Sequence, residues 1–169
     1  MLASFLGWLW CATRLLVKAA SGRQRYNVLG ALNALTHELI RVTNDTYITA
    51  ATVCELLHKL AALELGTPIT LVLDNARYQR CRLVQDLALT LNIELLFLPS
   101  YSPNLNLIER LWKFVKKAVL NSRHHASFAE FHSKIDECLD QLSTTHQPQM
   151  ATLMTCAFQS FGNVPMLDA

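Results

Sequence analysis

The chain has 169 residues, of which 51% are apolar and 17% charged, and it carries a net charge of +2. That length suits one domain with a proper core, and the composition excludes a disordered chain. The small net charge means that any nucleic-acid partner must be met by local clusters of basic residues.

The stretch Leu2 to Thr13 is apolar, but Arg14 and Lys18 break the run beyond it. A membrane-spanning helix needs about 20 apolar residues, and neither a basic leader nor a small-residue cleavage site is present. The segment reads as a buried strand or loop of a soluble core. Ser21 to Arg25 is a polar, basic turn. Tyr26 to Leu35 reads as a strand and His37 to Thr43 as its antiparallel partner. Thr43-Asn44-Asp45-Thr46 supplies a helix cap, and Tyr47 to Leu65 reads as a helix with Val53, Leu56, Leu57, Leu60 and Leu63 on its apolar face. Gly66-Thr67-Pro68 stops it.

Ile69 to Leu73 is a short continuous apolar run, expected to be a strand buried on both faces. Arg80 to Asn92 reads as a second helix, and Ile93 to Leu98 as a second buried strand ended by Pro99. Asn104 or Asn106 can cap a third helix reaching about Leu120, with Leu105, Ile108, Trp112, Val115 and Val119 as its buried stripe. Ser127 caps a fourth helix through Leu142. Strands and helices alternate in the middle of the chain, which demands parallel neighbours joined by helical crossovers. The class is therefore a mixed α/β sheet flanked by helices, with a strand absent from its start. Residues 1–145 read as one domain and 146–169 as a poorly specified tail.

The five cysteines, Cys11, Cys54, Cys81, Cys138 and Cys156, are widely spaced. They read as reduced thiols, not as a disulfide frame or zinc site. His124-His125 sits in a polar loop and reads as solvated. No Gly-x-Ser-x-Gly elbow, glycine-rich phosphate loop or His-Glu-x-x-His is present.

Two carboxylates could carry chemistry. Asp74 ends the strand at Leu73, and ligand sites in open α/β sheets gather at the carboxyl ends of strands. An Asx turn bonding the backbone of Ala76 explains Asp74 about as well. Glu109 lies one turn into the third helix at the border of its apolar stripe. Taken alone, it is better explained as a surface partner of Lys113, worth about 0.3 kcal/mol. Arg110, Lys113 and Lys117 share a helical face with Lys116 beside it. They could follow a phosphate backbone, although a solvated face is the commoner reason for such a run.

Together these stretches resemble a known family. Leu71-Val72-Leu73-Asp74-Asn75-Ala76 is similar to the second-aspartate strand of DDE-class, mariner-like insertion-sequence transposases. Leu96 to Trp112, with Leu98-Pro99-Ser100-Tyr101-Ser102-Pro103 ahead of Asn104, Ile108, Glu109 and Trp112, is similar to their third-carboxylate motif. The 34 residues between Asp74 and Glu109 match the spacing of one branch, and Leu107 stands where many members have proline. The resemblance covers residues 2 to about 145.

It implies an RNase H-like fold in which three carboxylates hold two divalent cations, Mg2+ or Mn2+, for DNA strand cleavage and strand transfer. Asp74 and Glu109 would be two of those ligands. The only aspartate before Asp74 is Asp45, which falls after the hairpin and not on a first strand. The expectation is a carboxyl-terminal catalytic domain, truncated at its amino terminus and inactive alone. The alternative is a non-catalytic fragment that binds DNA or full-length transposase and inhibits it. Implied partners are transposon-end and target DNA, a second copy or a missing amino-terminal half, and no membrane. The implied location is the cytoplasm, with the nucleoid.

Overall fold

The computed structural model describes residues 24–99, 106–120, 125 and 127–155. The apolar amino-terminal stretch, residues 21–23 of the basic turn, the loop 100–105 and His124 lie outside them. Two strands open the described chain, β1 (Asn27–Leu32) and β2 (Leu39–Asn44), paired antiparallel with Leu29 opposite Val42 and Gly30 opposite Arg41. Both are shorter than the sequence suggests. Asn33 Oδ1 accepts from the backbone of Leu35 and Thr36, which turns the chain early and leaves Leu35 88% exposed.

The first helix, α1, spans Ala50–Ala61. Its cap is Thr49, not the Thr43–Thr46 stretch, and the Thr49 backbone N–H donates to Thr52 Oγ1 at 3.2 Å, one half of a capping box. Val53, Leu56, Leu57 and Leu60 are buried as their spacing implies, each worth about 1.5–3 kcal/mol. Leu63 and Leu65 are exposed, because the helix ends at Ala61 and the chain turns through Glu64 and Gly66, both at positive φ.

Strand β3 (Ile69–Leu73) pairs in parallel with β4 (Ile93–Phe97), and helix α2 (Arg82–Thr90) makes the crossover. Asn92, at φ +55°, reverses the chain between α2 and β4, a conformation asparagine tolerates better than most residues. Neither strand is buried on both faces, contrary to the reading of their apolar runs. Ile69, Leu71, Ile93 and Leu95 pack on the core, whereas Thr70, Val72, Glu94 and Leu96 point outward. No described element covers that outer face, where the Thr70 hydroxyl donates to Glu94 at 2.7 Å.

Helix α3 spans Leu107–Val115 and runs into a π-helical turn at Lys116–Leu120. The helix α4 (Phe128–Asp140) begins at Ser127, whose hydroxyl accepts from the Glu130 backbone. A short helix, α5 (Gln147–Leu153), lies in the segment that reads from sequence as an unspecified tail, and its Met150 is fully buried.

Two cores result. Val53, Leu56, Leu57, Val84 and Ala88 of α1 and α2 pack on one face of both strand pairs. Leu111, Val115, Val119, Leu139 and Met150 pack on the other face of β1–β2. The architecture is mixed α/β, as expected, but the strands among the described residues form two separate two-stranded sheets. They share the α1–α2 layer without pairing to each other.

The second layer lies close to the first at Gly30. A Cβ there would meet Leu39 Cδ1 at 2.8 Å, Ile108 Cδ1 at 3.3 Å and Trp112 Cη2 at 3.5 Å. The next tie is polar. Arg41 pairs with Asp136 at 3.4 Å and Asp140 at 2.8 Å, and the Tyr26 hydroxyl donates to Asp136 at 2.6 Å. Burial, with Asp136 adding to it, pushes the Tyr26 phenol up to about 12.

Two outcomes are expected. Gly30→Val overfills the contact with Ile108 and Trp112 and destabilises the fold by about 1–3 kcal/mol in urea titration. Because the Tyr26 phenol ionises less readily in the folded state, its contribution is complete below pH 10.0 and is lost as the pH rises toward about 12. Tyr26→Phe should remove that stretch of the pH–stability curve, and at neutral pH should cost about 1 kcal/mol for the lost hydrogen bond.

Candidate active site at the carboxyl ends of the parallel strands

Parallel pairing places the carboxyl ends of β3 and β4 side by side. The ladder extends one residue further, with the Leu98 N–H donating to the Leu73 carbonyl at 2.8 Å. Asp74 therefore leaves the sheet beside the point where the chain exits β4 toward α3. It is exposed, and the Asx turn that would explain it structurally does not form. The Ala76 N–H is taken instead by Gln79 Oε1 at 3.0 Å, from a glutamine only 5% exposed. Asp74 has no hydrogen bond or ion pair among the described residues. Its charge is felt by Tyr78, whose phenol is raised first by burial and then by Asp74.

Asn75, the next residue, is the most constrained position at this edge. Its φ is +73°, and its Oδ1 is buried without a hydrogen-bond partner among the described residues. Each feature costs free energy, about 1 kcal/mol for the backbone and about 1–3 for the unmet acceptor. Such strain gathers at functional sites, where surrounding structure holds it in place. The positive φ leaves no pattern in the sequence beyond the residue type, so sequence reading passes over Asn75.

Glu109 sits in the first turn of α3, partly buried. Of the two possible caps, Asn106 is the one the structure describes, its Oδ1 accepting from the Ile108 N–H at 3.3 Å. The surface pairing that sequence alone favours is absent, since no ion pair joins Glu109 to Lys113. Leu111, overlooked in the stripe read from sequence, is the residue of α3 that is completely buried, while Ile108 and Trp112 border the core and face Gly30. Leu105 lies outside the described residues.

The basic residues divide. The Arg110 guanidinium donates to the carbonyls of Leu153 and Thr155 at 3.1 and 2.7 Å, closing the end of α5. Lys113, Lys116 and Lys117 are exposed. Asp45 lies in an exposed bend between β2 and α1. The surface hollow bounded by Ala61, Gly66, Pro68, Leu91 and Asn92 is at the amino-terminal end of β3 and β4, the end opposite Asp74.

The donors at the carboxyl-terminal edge are oxygens, the carboxylate of Asp74 and the unmet amide oxygen of Asn75 next to it, while Glu109 lies in the first turn of α3. That chemistry suits a hard divalent cation. The set is partial, because among the described residues no three His, Cys, Asp or Glu side chains form a group able to hold a metal ion. Cys81, the cap of α2, donates its thiol to the Tyr78 carbonyl at 3.4 Å, and burial, then Cys81, raises the Cys54 thiol.

A mixed α/β fold with a carboxylate unpartnered among the described residues, Asp74, at the carboxyl end of a parallel strand has the strand-end edge where sites gather in open α/β sheets. A family model for the DDE superfamily endonuclease matches residues 12–132, most of the chain, and the chain belongs to that family. The fold is consistent with its RNase H-like domains. Such domains generally use divalent metal ions. A search of curated proteins finds no match. Among the described residues no helix is long and apolar enough to cross a membrane.

If Asn75 stores strain for the site, replacing it should trade function for stability. Asn75→Gly is expected to raise the unfolding free energy by about 1 kcal/mol or more, measured from the urea midpoint, by relieving the positive φ and removing the unmet acceptor. A destabilised Asn75→Gly protein would show that the asparagine is bonded and structural.

Proposed function

We propose that the chain is the catalytic domain of a mariner-like insertion-sequence transposase, and that it cleaves and joins DNA strands with Mg2+ or Mn2+. The observation that carries this reading is Asp74, a carboxylate without a partner among the described residues, at the end of a parallel strand beside a strained, unsatisfied asparagine. Family membership supplies the reaction class and DNA as the substrate.

Asp74 and Glu109 would each hold a cation through carboxylate oxygens, Asp74 from a rigid strand end and Glu109 from a helix capped by Asn106. Bound cations would activate the attacking oxygen and stabilise the leaving one in an in-line displacement at phosphorus. The protein's own part is to fix those oxygens and to present the DNA backbone to them. The third carboxylate comes from outside the described residues or from another chain, since Asp45 sits on the wrong element. The isolated chain is then poorly active. The partners are transposon-end and target DNA, and a second copy or a preceding segment.

Strand cleavage of plasmid DNA, assayed with Mg2+ or Mn2+ and with the third carboxylate supplied, should fall about 10²–10³-fold in Asp74→Ala and in Glu109→Ala. A cation's charge stabilisation is worth several kcal/mol. Undiminished cleavage in either variant contradicts the assignment. The incomplete ligand set also favours a second reading, a non-catalytic domain that binds DNA or the full-length enzyme and inhibits it. Co-purification of the chain with that enzyme, together with a lack of cleavage under every completing condition, would establish it.

A further inference from the structure

Among the described residues Asp74 has no partner, and the reason lies five residues further along the chain. An aspartate commonly captures the backbone N–H two residues on, closing an Asx turn. Such a bond to a carboxylate is charge-assisted and stronger than one to a neutral acceptor. The Ala76 N–H stands in that relation to Asp74, yet it donates to Gln79 Oε1 at 3.0 Å.

Gln79 and Thr52 are the buried polar side chains among the described residues, and Gln79 is only 5% exposed. Burying an amide is unfavourable unless its polar atoms are bonded. An apolar side chain of the same length would fill the space without that cost, so the bond to Ala76 is what the glutamine adds. The backbone supports it from the other side. The N–H groups of Gln79 and Arg80 both donate to the Ala76 carbonyl, at 3.0 and 3.2 Å. Both backbone polar groups of Ala76 are therefore committed to the turn that follows. That turn is itself anchored, since the Cys81 thiol donates to the Tyr78 carbonyl and the Gln85 side chain to the Arg80 carbonyl at 2.6 Å. Tyr78 and Cys81 also pack against the core. The segment from Asn75 to Cys81 is closed on itself, and the Asp74 carboxylate at its start is left over.

We propose that Gln79 is a positioning residue for the cation site. By occupying the Ala76 N–H, it stops Asp74 from folding back onto its own loop and keeps both carboxylate oxygens available to a divalent cation. The proposal rests on the reading of Asp74 as a cation ligand, and Gln79 acts through Asp74 alone.

The test uses the 169-residue chain and Gln79→Met, which keeps the length of the side chain and removes the acceptor. Hydrogen exchange at the Ala76 amide, followed by nuclear magnetic resonance, reports which group holds that N–H. In the wild-type background, Asp74→Ala is expected to leave Ala76 protected. In Gln79→Met the amide should stay protected through Asp74, and adding Asp74→Ala should abolish the protection. Mn2+ affinity, from electron paramagnetic resonance, should fall about 10–100-fold in Gln79→Met, the usual effect of removing a group that orients a metal ligand. Circular dichroism checks that Gln79→Met folds, and the Asp74→Ala comparison decides the matter without it if it does not. Protection lost in Asp74→Ala alone shows that Asp74 already holds the N–H, and overturns the proposal. So does an Ala76 amide in Gln79→Met that is indifferent to Asp74. So does a Mn2+ affinity that Gln79→Met leaves unchanged while Asp74→Asn removes it. Failure of the cation reading looks different: the amide behaves as stated, while Mn2+ binding is absent or survives Asp74→Asn.

Discussion

The position of Glu109 depends on a side chain that is not there. Gly30, in the middle of β1, lets α3 lie directly on the strand, with Ile108 and Trp112 filling the space a Cβ would contest. Glu109 stands between those two residues in sequence, so the helix contact that seats them also sets where its carboxylate is presented. Glycine in a strand interior weakens the strand by roughly 0.5–1 kcal/mol. The return is a close helix crossing, reinforced by Arg41 and Tyr26 holding α4 on the same sheet. The π-helical turn extends this packing toward the end of the helix, where Val119 is buried in the same core.

The placement of Asp74 depends on a different constraint, the parallel pairing of β3 and β4. It puts Asp74 and the exit toward α3 at one edge, and the Leu98–Leu73 hydrogen bond carries that pairing past the strand ends. Among the described residues, two sheets that share a helical layer but do not pair leave unpaired edges.

Much of this was legible in the sequence because the patterns that specify it are local. Val53, Leu56, Leu57 and Leu60 announce α1 by their spacing, Ser127 announces α4, and Ile69–Leu73 is a strand to the residue. What was misread depends on tertiary context. An apolar run such as Thr70-Leu71-Val72 looks the same whether one face or both are covered, so the open face of β3–β4 gave no signal. Thr43 to Thr46 is as good a cap in composition as Thr49, and only the Thr49–Thr52 bond distinguishes them. Asp74 and Glu109 were singled out through the family resemblance more than through their own surroundings. The diversion of Arg110 to α5 was invisible, because it depends on a helix the sequence barely marks, and so was the strain at Asn75.

The proposed function requires Asp74 and Glu109 to serve one cation site. The most direct measurement is Mn2+ binding to the 169-residue chain by electron paramagnetic resonance, in the wild type, Asp74→Asn and Glu109→Gln. Weak binding that either substitution removes is expected, because both carboxylates are needed to hold the ion. Binding that survives both substitutions, or that requires one and ignores the other, would contradict it.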